Sequence, residues 1–203
     1  MERLVIVRHG ETDYNVQRRW QGHMDIPLND AGLTQATRVA TALKNEPIDA
    51  IYTSDLLRAH ATAEAINQHH NLTLQPDRRL REVSLGHFEG LTSEEIVTKF
   101  PDEHAAWTGD LEVPAPGGES DLLFSNRVQD FYETVLKDHS AETALLVSHG
   151  GTIRALLCVL LELPVKHYHQ FRLDNTAISE FHWYRNRWNL VRFNDTYHLN
   201  GHF

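Results

Sequence analysis

The chain has 203 residues, of which 41% are hydrophobic and 23% charged, and its formal net charge at pH 7 is −9. These proportions are typical of a soluble globular protein, and the acidic balance disfavours nucleic-acid binding, which usually requires a basic excess. No stretch approaches the roughly 18 apolar residues of a membrane span, and the N-terminus lacks an apolar signal region. We therefore expect a cytoplasmic protein that binds neither nucleic acid nor membrane.

The cysteine and histidine content bears on disulfide and metal chemistry. The single cysteine, Cys158, excludes an intrachain disulfide, and the apolar run ALLCVLLEL around it predicts a buried structural thiol. The 14 histidines invite a metal site. However, no His-Glu-x-x-His motif occurs, and His69 and His70 are adjacent and cannot share one helix face. We expect no metal site.

Apolar runs predict buried strands at Leu4–Val7, Ala50–Thr53 and Ala144–Ser148. Their continuous apolar character suits a parallel sheet that is covered on both faces. Alternation in AISEFHWY and RWNLVRF predicts two further strands, joined in a hairpin near Asn186. Helical spacing predicts four helices: one within NDAGLTQATRVATALKNEP capped by Asn29 or Asp30, one from Asp55 to Gln68 capped by Ser54 or Asp55, one from Ser120 to Lys137, and one from Gly151 to Leu161.

This alternation of strands and helices predicts an α/β fold with crossover connections. In such sheets, ligands bind beyond the carboxyl ends of the strands. Arg8 and His9 end the first strand, Ser54–Arg58 follow the second, and Ser148–Gly150 end a later one. We therefore expect three separate stretches of the chain to converge on one crevice.

The remaining sequence fits one domain over residues 1–203. A segment around 86–120 contains Leu91–Gly109 and the Gly/Pro-rich stretch EVPAPGGES. We expect this segment to be an insertion that covers the crevice like a lid.

The residues at the predicted strand ends suit an anion. Arg8 offers a planar fork of donors for phosphate or carboxylate, and Gly10 allows a ligand to approach closely. His9 is a nucleophile if its attacking nitrogen is unprotonated and the other nitrogen is held by an acceptor. LLVSHGG repeats the design with His149 before a helix N-terminus, and Arg58 adds a cation. The alternative is that these are unrelated surface residues.

A phosphoester site also needs an acid for the leaving oxygen. Glu82 in RLREVSLGHFEG is a candidate, although a salt bridge from Glu82 to Arg79 or Arg81 is an equally good interpretation. Glu11 and Glu89 are rival donors by the same reasoning.

Several motifs, taken together and in order, resemble one family. They are RHGET with Asn15, QG at Gln21–Gly22, SDLLRAHATAE, LREVSLGHFEG, PGGES and VSHGG. The set is similar to the motifs of the histidine phosphatase superfamily, also called phosphoglycerate mutase-like, over Leu4 to about Thr152. DNTAISEF and NDTYHL also resemble the small bacterial phosphatases of this group.

The resemblance implies a three-layer α/β/α sandwich with a mainly parallel six-stranded sheet, and a reaction without metal or cofactor. It implies that His9 is the nucleophile that becomes phosphohistidine and that Glu82 is the proton donor. The other implied site residues are Arg8, Arg58 and His149, which grip the phosphoryl oxygens, Asn15, which assists them, and Gln21, Gly22 and Gly150, which border the substrate.

Three functions are compatible with this pattern: a phosphomonoesterase, a mutase of the phosphoglycerate mutase type, and a non-catalytic module that binds a phosphorylated ligand. Every motif position is filled, which favours catalysis. The resemblance separates the first two, because the mutases carry motifs like ERxYGxLxGxNK and HGNS where this chain has REVSLGHFEGLTSEE and HGGT. The segment between Glu82 and His149 is also shorter than theirs. We expect hydrolysis, with an activity optimum on the acidic side of neutral and a cationic His149 in the complex.

The substrate is expected to be a small phosphorylated metabolite, with phosphate or a similar anion in the pocket. The motifs do not separate broad-specificity acid phosphatases, phosphoserine phosphatases and α-ribazole phosphatases. Arg18 and Arg19 either read a second anionic group or lie on the surface, and we favour the surface. Trp20, Phe88 and Trp107 could shape the pocket, but we expect some of them to pack the core instead. The edge strand of the predicted hairpin could support a homodimer.

Overall fold

The computed structural model describes residues 1–137 and 140–200. Its centre is a six-stranded sheet with the strand order β3-β2-β4-β1-β5-β6. The first four strands in that order run parallel, and the last two are antiparallel to their neighbours. The strands are β1 (Arg3–Arg8), β2 (Ala50–Thr53), β3 (Leu74–Pro76), β4 (Thr143–Ser148), β5 (Ile178–Tyr184) and β6 (Arg187–Asp195).

Seven α-helices surround the sheet in the described part of the chain. Helix α6 continues into one π-helical turn, Tyr132–Leu136. The helices are α1 (Asp13–Val16), α2 (Asp30–Leu43), α3 (Leu57–Asn67), α4 (Ser93–Lys99), α5 (Pro101–Gly109), α6 (Asp121–Phe131) and α7 (Gly150–Leu160).

Two separate hydrophobic cores form because successive strand residues point to opposite faces of the sheet. Leu4 and Ile6 of β1 contribute to the core beneath α6 and α7. Val5 and Val7 contribute to the core beneath α2 and α3. Strands that are apolar at every position therefore require helices on both sides, which gives the three-layer α/β/α arrangement.

The structure confirms the predicted strands and the hairpin, whose turn residues Arg185 and Asn186 have φ values of 53° and 60°. A two-residue turn with both φ values positive matches the right-handed twist of a hairpin. The short edge strand β3 was not predicted. Helix α7 begins at Gly150, one residue earlier than expected.

The predicted cap of α3 is wrong. The helix begins at Leu57, and its N-cap is Leu56, which has no capping side chain, rather than Ser54 or Asp55. Both polar side chains have other partners, because the Ser54 hydroxyl contacts His149 and the Asp55 carboxylate binds Arg81. The carboxylate of Asp25 accepts the hydrogen bond from the Leu57 amide instead.

The segment 86–120 holds α4, α5 and the loop that follows them. It is anchored by buried Phe88, Ile96 and Ala115, so Phe88 lies in the core as expected. The single cysteine, Cys158, is buried on α7. None of the helices in residues 1–137 and 140–200 is long and apolar enough to cross a bilayer.

Candidate active site

The expected convergence of strand ends occurs at the carboxyl edge of the sheet. His9 follows β1, His149 follows β4, and Arg58 lies in the first turn of α3, directly after β2. His9 and Arg58 line a cavity with a volume of about 300 Å³, whereas His149 is fully buried beside His9 and is not part of the lining. The lining includes Arg8, His9, Asn15, Arg18, Arg19, Trp20, Gln21, Gly22, Arg58, Glu82, Trp107, Gly151, Arg154, Tyr168 and His169.

His9 is held as a neutral ring with one free nitrogen. Its Nδ1 lies 2.7 Å from the carbonyl oxygen of Gly10 and donates to it, which leaves Nε2 unprotonated. Burial lowers the pKa of His9 well below its ordinary value, and the positive charges of Arg58 and Arg8 lower it further. A Cβ at Gly10 would lie 2.6 Å from the carbonyl oxygen of Gly32, so only glycine fits beside this histidine.

His149 lies beside His9, with their ring centroids 5.2 Å apart. Its Nε2 lies 2.8 Å from the Ser54 hydroxyl, whereas its buried Nδ1 has no partner among the described residues. Burial lowers the pKa of His149 well below its ordinary value, and the positive charge of Arg58 lowers it further. The free site therefore holds a neutral His149, and a cationic form requires a bound anion.

Arg58 is a buried cation and Arg8 is a half-buried one, and neither forms an ion pair with a carboxylate among the described residues. Arg58 is fully buried and donates to the carbonyl oxygens of Met24 (2.8 Å) and Gly22 (2.9 Å). Arg8 donates to the carbonyl oxygen of Leu173 at 2.6 Å. The Nε groups of both arginines are buried and unpartnered, and burial lowers the pKa of Arg58 to about 10. Since buried charges are normally paired, this arrangement is typical of an anion site.

Glu82 is the carboxylate at this cavity. It accepts hydrogen bonds from the first-turn amides of α7, at 3.0 Å from Gly151 and 3.2 Å from Thr152. These amides were expected to face a bound anion, but in the structure the Glu82 side chain occupies them. The two amides fix the Glu82 side chain at the N-terminus of α7.

The structure also shows where the alternative partners of Glu82 and the two rival carboxylates lie. The structure contradicts a salt bridge from Glu82 to Arg79 or Arg81, since Arg79 binds Asp77 and Asp130 whereas Arg81 binds Asp55. The two rival carboxylates lie outside the cavity lining. Glu11 accepts a hydrogen bond from a side chain at the start of α2. Glu89 accepts hydrogen bonds from two loop amides.

The predicted binding loop is ordered around α1. Asn15 completes a capping box with Thr12 and accepts a hydrogen bond from Asn175 at 3.3 Å. The side-chain oxygen of Gln21 accepts from Thr12 at 3.1 Å, and the Gly22 carbonyl holds Arg58. Gly150 sits beside the site: a Cβ there would lie 3.6 Å from Nε of Arg8.

The expectation that Arg18 and Arg19 both lie on the surface is wrong for Arg19. Arg19 is not a solvated surface residue, because it binds the Glu95 carboxylate at 2.7 Å and lines the cavity; Arg18 lines it too, although it is exposed. Trp20 and Trp107 do both things that the sequence left open: they pack edge to face at 5.9 Å against the core, and they line the cavity.

Sequence reasoning also missed Arg154, Tyr168 and His169 on this wall. Arg154 could have been found, because it lies four residues after Gly150 on the same face of α7. No comparable sequence signal marks Tyr168 or His169. Among residues 1–137 and 140–200, no group of three or more His, Cys, Asp or Glu side chains is placed to hold a metal ion.

The model of the histidine phosphatase superfamily (branch 1) matches residues 4–196. The chain belongs to this superfamily. Phosphoserine phosphatase 1 of Hydrogenobacter thermophilus is 35% identical over 200 residues, covering 98% of this chain and 95% of that protein. A probable phosphoglycerate mutase (GpmB) of Proteus mirabilis is 37% identical over 209 residues, covering 98% and 95%. The first relative is named as a phosphatase and the second as a probable mutase; the family and the phosphatase relative support phosphatase chemistry for this member of the superfamily.

Solved structures of this superfamily share the fold. A putative α-ribazole-5′-phosphate phosphatase from Escherichia coli has a TM-score of 0.90 and 28% identity, covering 96% of each chain. A phosphoserine phosphatase mutant from Entamoeba histolytica, solved in complex with phosphoserine, has a TM-score of 0.86 and 32% identity. That match covers 98% of this chain and 100% of the other. The expected three-layer, mainly parallel six-stranded fold is confirmed.

Proposed function

We propose that the chain is a phosphomonoesterase that hydrolyses a small organic phosphate through a phosphohistidine on His9. The observation that carries this proposal is the free Nε2 of a neutral His9 close to Arg8 and Arg58, two arginines whose Nε atoms are buried and unpartnered among the described residues. A phosphoryl group brings the negative charge that Arg8 and Arg58 lack, and it places phosphorus next to the nucleophile.

In the first step, the lone pair of His9 Nε2 forms a bond to phosphorus as the ester P–O bond breaks. Glu82, in its protonated form, gives its proton to the departing alkoxide. Arg8, Arg58 and Nδ1 of His149 bind the three equatorial oxygens, and Asn15 supports them. The Gln21–Gly22 loop and Gly150 border the leaving group.

In the second step, water attacks the phosphohistidine and the N–P bond breaks. The Glu82 carboxylate takes a proton from this water, so the donor is restored as phosphate forms. The arginines and His149 supply the charge stabilisation in both steps, which is why we propose a reaction without added metal.

The segment 86–120 is the proposed lid. Its Ser93 and Trp107 line the cavity, and Ser93 accepts a hydrogen bond from Trp20 at 3.1 Å. A cover of this kind shields the phosphohistidine and limits access to small substrates.

The test is hydrolysis of an aryl phosphate at mildly acidic pH without added metal, by the native chain and by His9→Ala. The proposal expects turnover by the native chain and its loss in the variant. Absence of native turnover, followed by conversion of 3-phosphoglycerate when 2,3-bisphosphoglycerate is added, would identify a mutase instead. Binding of phosphate without either reaction would identify a non-catalytic module.

A further inference from the structure

Arg154 is a cation of the cavity wall that the proposed chemistry does not use. It lies one turn into α7, and its Nε donates to the carbonyl oxygen of Gly150 at 3.0 Å. Its two Nη groups make no hydrogen bond or ion pair within the part of the chain that the structure describes. Arg154 therefore offers free donors at the cavity.

The surroundings hold this guanidinium in place. Its carbon Cζ lies 5.6 Å from the ring centroid of Tyr168, which is within cation–π range. Tyr168 is itself buried and fixed, because its hydroxyl donates to the Asp121 carboxylate at 2.9 Å. An arginine fixed at Gly150 and against Tyr168 is pre-organised, so it loses little side-chain freedom when it binds a ligand.

Charge in the cavity is one-sided. Five arginines line it, namely Arg8, Arg18, Arg19, Arg58 and Arg154, and Glu82 is the single carboxylate among the lining residues. Arg19 is neutralised by Glu95, and Arg8 and Arg58 face the proposed phosphoryl position. Burial lowers the pKa of Arg8, and the positive charge of Arg154 lowers it further, so the two guanidinium groups are within electrostatic reach of each other.

We propose that Arg154 binds a carboxylate on the leaving group, so that the substrates of this enzyme are small phosphomonoesters that also carry a carboxylate. Arg18 also lines the cavity without an ion pair among the described residues, but it is exposed and nothing holds it in place, so Arg154 is the pre-organised free cation. One such positive charge fits a carboxylate better than a second phosphate dianion. The cavity of about 300 Å³ fits a short molecule in which the two anionic groups are a few bonds apart. This inference rests on the proposed function and adds the substrate class to it.

The test compares two esters that differ in this one group, 3-phosphoglycerate and glycerol 3-phosphate. Their inhibition constants against aryl phosphate hydrolysis, and their own kcat/KM values, are measured for the native chain, Arg154→Met and Arg154→Lys. We expect the native chain to prefer 3-phosphoglycerate roughly 10- to 100-fold, the range of one charge-assisted hydrogen-bonded pair. Arg154→Met should abolish this preference and leave glycerol 3-phosphate almost unchanged, and Arg154→Lys should retain part of it.

The control is Arg172→Met, which removes an equal charge from an exposed arginine whose partner is Asp174. It should keep the native preference. Equal inhibition by the two esters in the native chain would overturn the inference. An equal loss of kcat/KM for both esters in Arg154→Met would also overturn it, because it would place Arg154 on the phosphoryl group. Failure of the proposed function is distinct, because the aryl phosphate itself would not be hydrolysed.

Discussion

At the scale of single residues, the site depends on which nitrogen of each histidine is free. Gly10 fixes His9 through Nδ1 and frees Nε2, whereas Ser54 fixes His149 through Nε2 and frees Nδ1. The Ser54 hydroxyl accepts the Leu56 amide at 3.3 Å, so its proton is available for His149. Donation by Ser54 places the imidazole proton on Nδ1 of His149, where it can meet a phosphoryl oxygen.

Ser54→Ala should therefore impair catalysis although Ser54 does not line the cavity. Without this hydrogen bond, the proton of His149 is no longer held on Nδ1. We expect kcat/KM for an aryl phosphate to fall about tenfold, the effect of one buried hydrogen bond. Steady-state kinetics of Ser54→Ala and Ser54→Thr test this, since the threonine keeps the hydroxyl and should retain most activity. Equal activity of Ser54→Ala and the native chain would contradict this role.

At the scale of elements, the loop that carries Glu82 is fastened to α6 by one side chain. Arg127 donates to the carbonyl oxygens of Arg79 (2.6 Å), Arg81 (3.0 Å) and Glu82 (3.2 Å). It also binds the Glu119 carboxylate at 2.6 Å. The position of the proposed proton donor thus depends on a helix residue that does not reach the cavity lining.

Arg127→Met should consequently reduce proton donation more than phosphate binding. We expect kcat/KM for an alkyl phosphate to fall tenfold or more, because its leaving oxygen needs the proton. The leaving group of nitrophenyl phosphate departs without a proton, so kcat/KM for this substrate should fall only about threefold or less. Equal losses for both substrates would mean that Arg127 supports folding alone, and a melting curve of the variant measures that contribution.

The elements also show what the sequence could predict. Strands β1 and β4 were predictable because their central residues, Leu4–Val7 and Ala144–Val147, are apolar and buried on both faces. The site residues follow from the ends of those strands. Strand β3 was not, since only three residues pair with β2 at the sheet edge. The start of α3 and the partners of Glu82 depend on contacts between residues distant in the chain, which local patterns do not encode.

At the scale of the whole molecule, burial of neutral histidines links stability to pH. Burial is the largest cause of a lowered pKa at five histidines: His9, His23, His70, His149 and His198. Below the ordinary value of 6.5, the unfolded chain binds protons at these positions that the folded chain does not. The free energy of unfolding therefore falls as pH drops below 6.5, until each folded-state pKa is reached.

We expect the melting temperature to fall between pH 7.5 and pH 5. Between its ordinary pKa and its folded-state pKa, each such histidine lowers the free energy of unfolding by up to about 1.4 kcal/mol per pH unit. A change of 1 kcal/mol in this free energy corresponds to about 2–4 °C in the melting temperature of a chain of this size. Calorimetry over this range is the measurement. In His70→Gln, a variant remote from the active site, the melting temperature should depend less steeply on pH. A melting temperature that is constant or rises towards pH 5 would contradict the neutral burial of these side chains.

The same lowered pKa governs the activity profile of the whole enzyme. Protonation of His9 removes the nucleophile, so the acid limb of kcat/KM should lie below pH 6.5. This leaves a mildly acidic range in which His9 is still unprotonated while a carboxyl donor more readily carries its proton, consistent with the expected acidic optimum.

The central claim is tested most directly by trapping the intermediate. The chain is mixed with a phosphomonoester, quenched in alkali, which preserves phosphohistidine, and digested for mass spectrometry, with NMR to identify the modified nitrogen. The account predicts one phosphoryl group on His9 and none in His9→Ala. The group should be attached to Nε2, because Nδ1 is hydrogen-bonded to the carbonyl oxygen of Gly10. Ester turnover without a phosphorylated His9, or with the phosphoryl group on another residue, would contradict it.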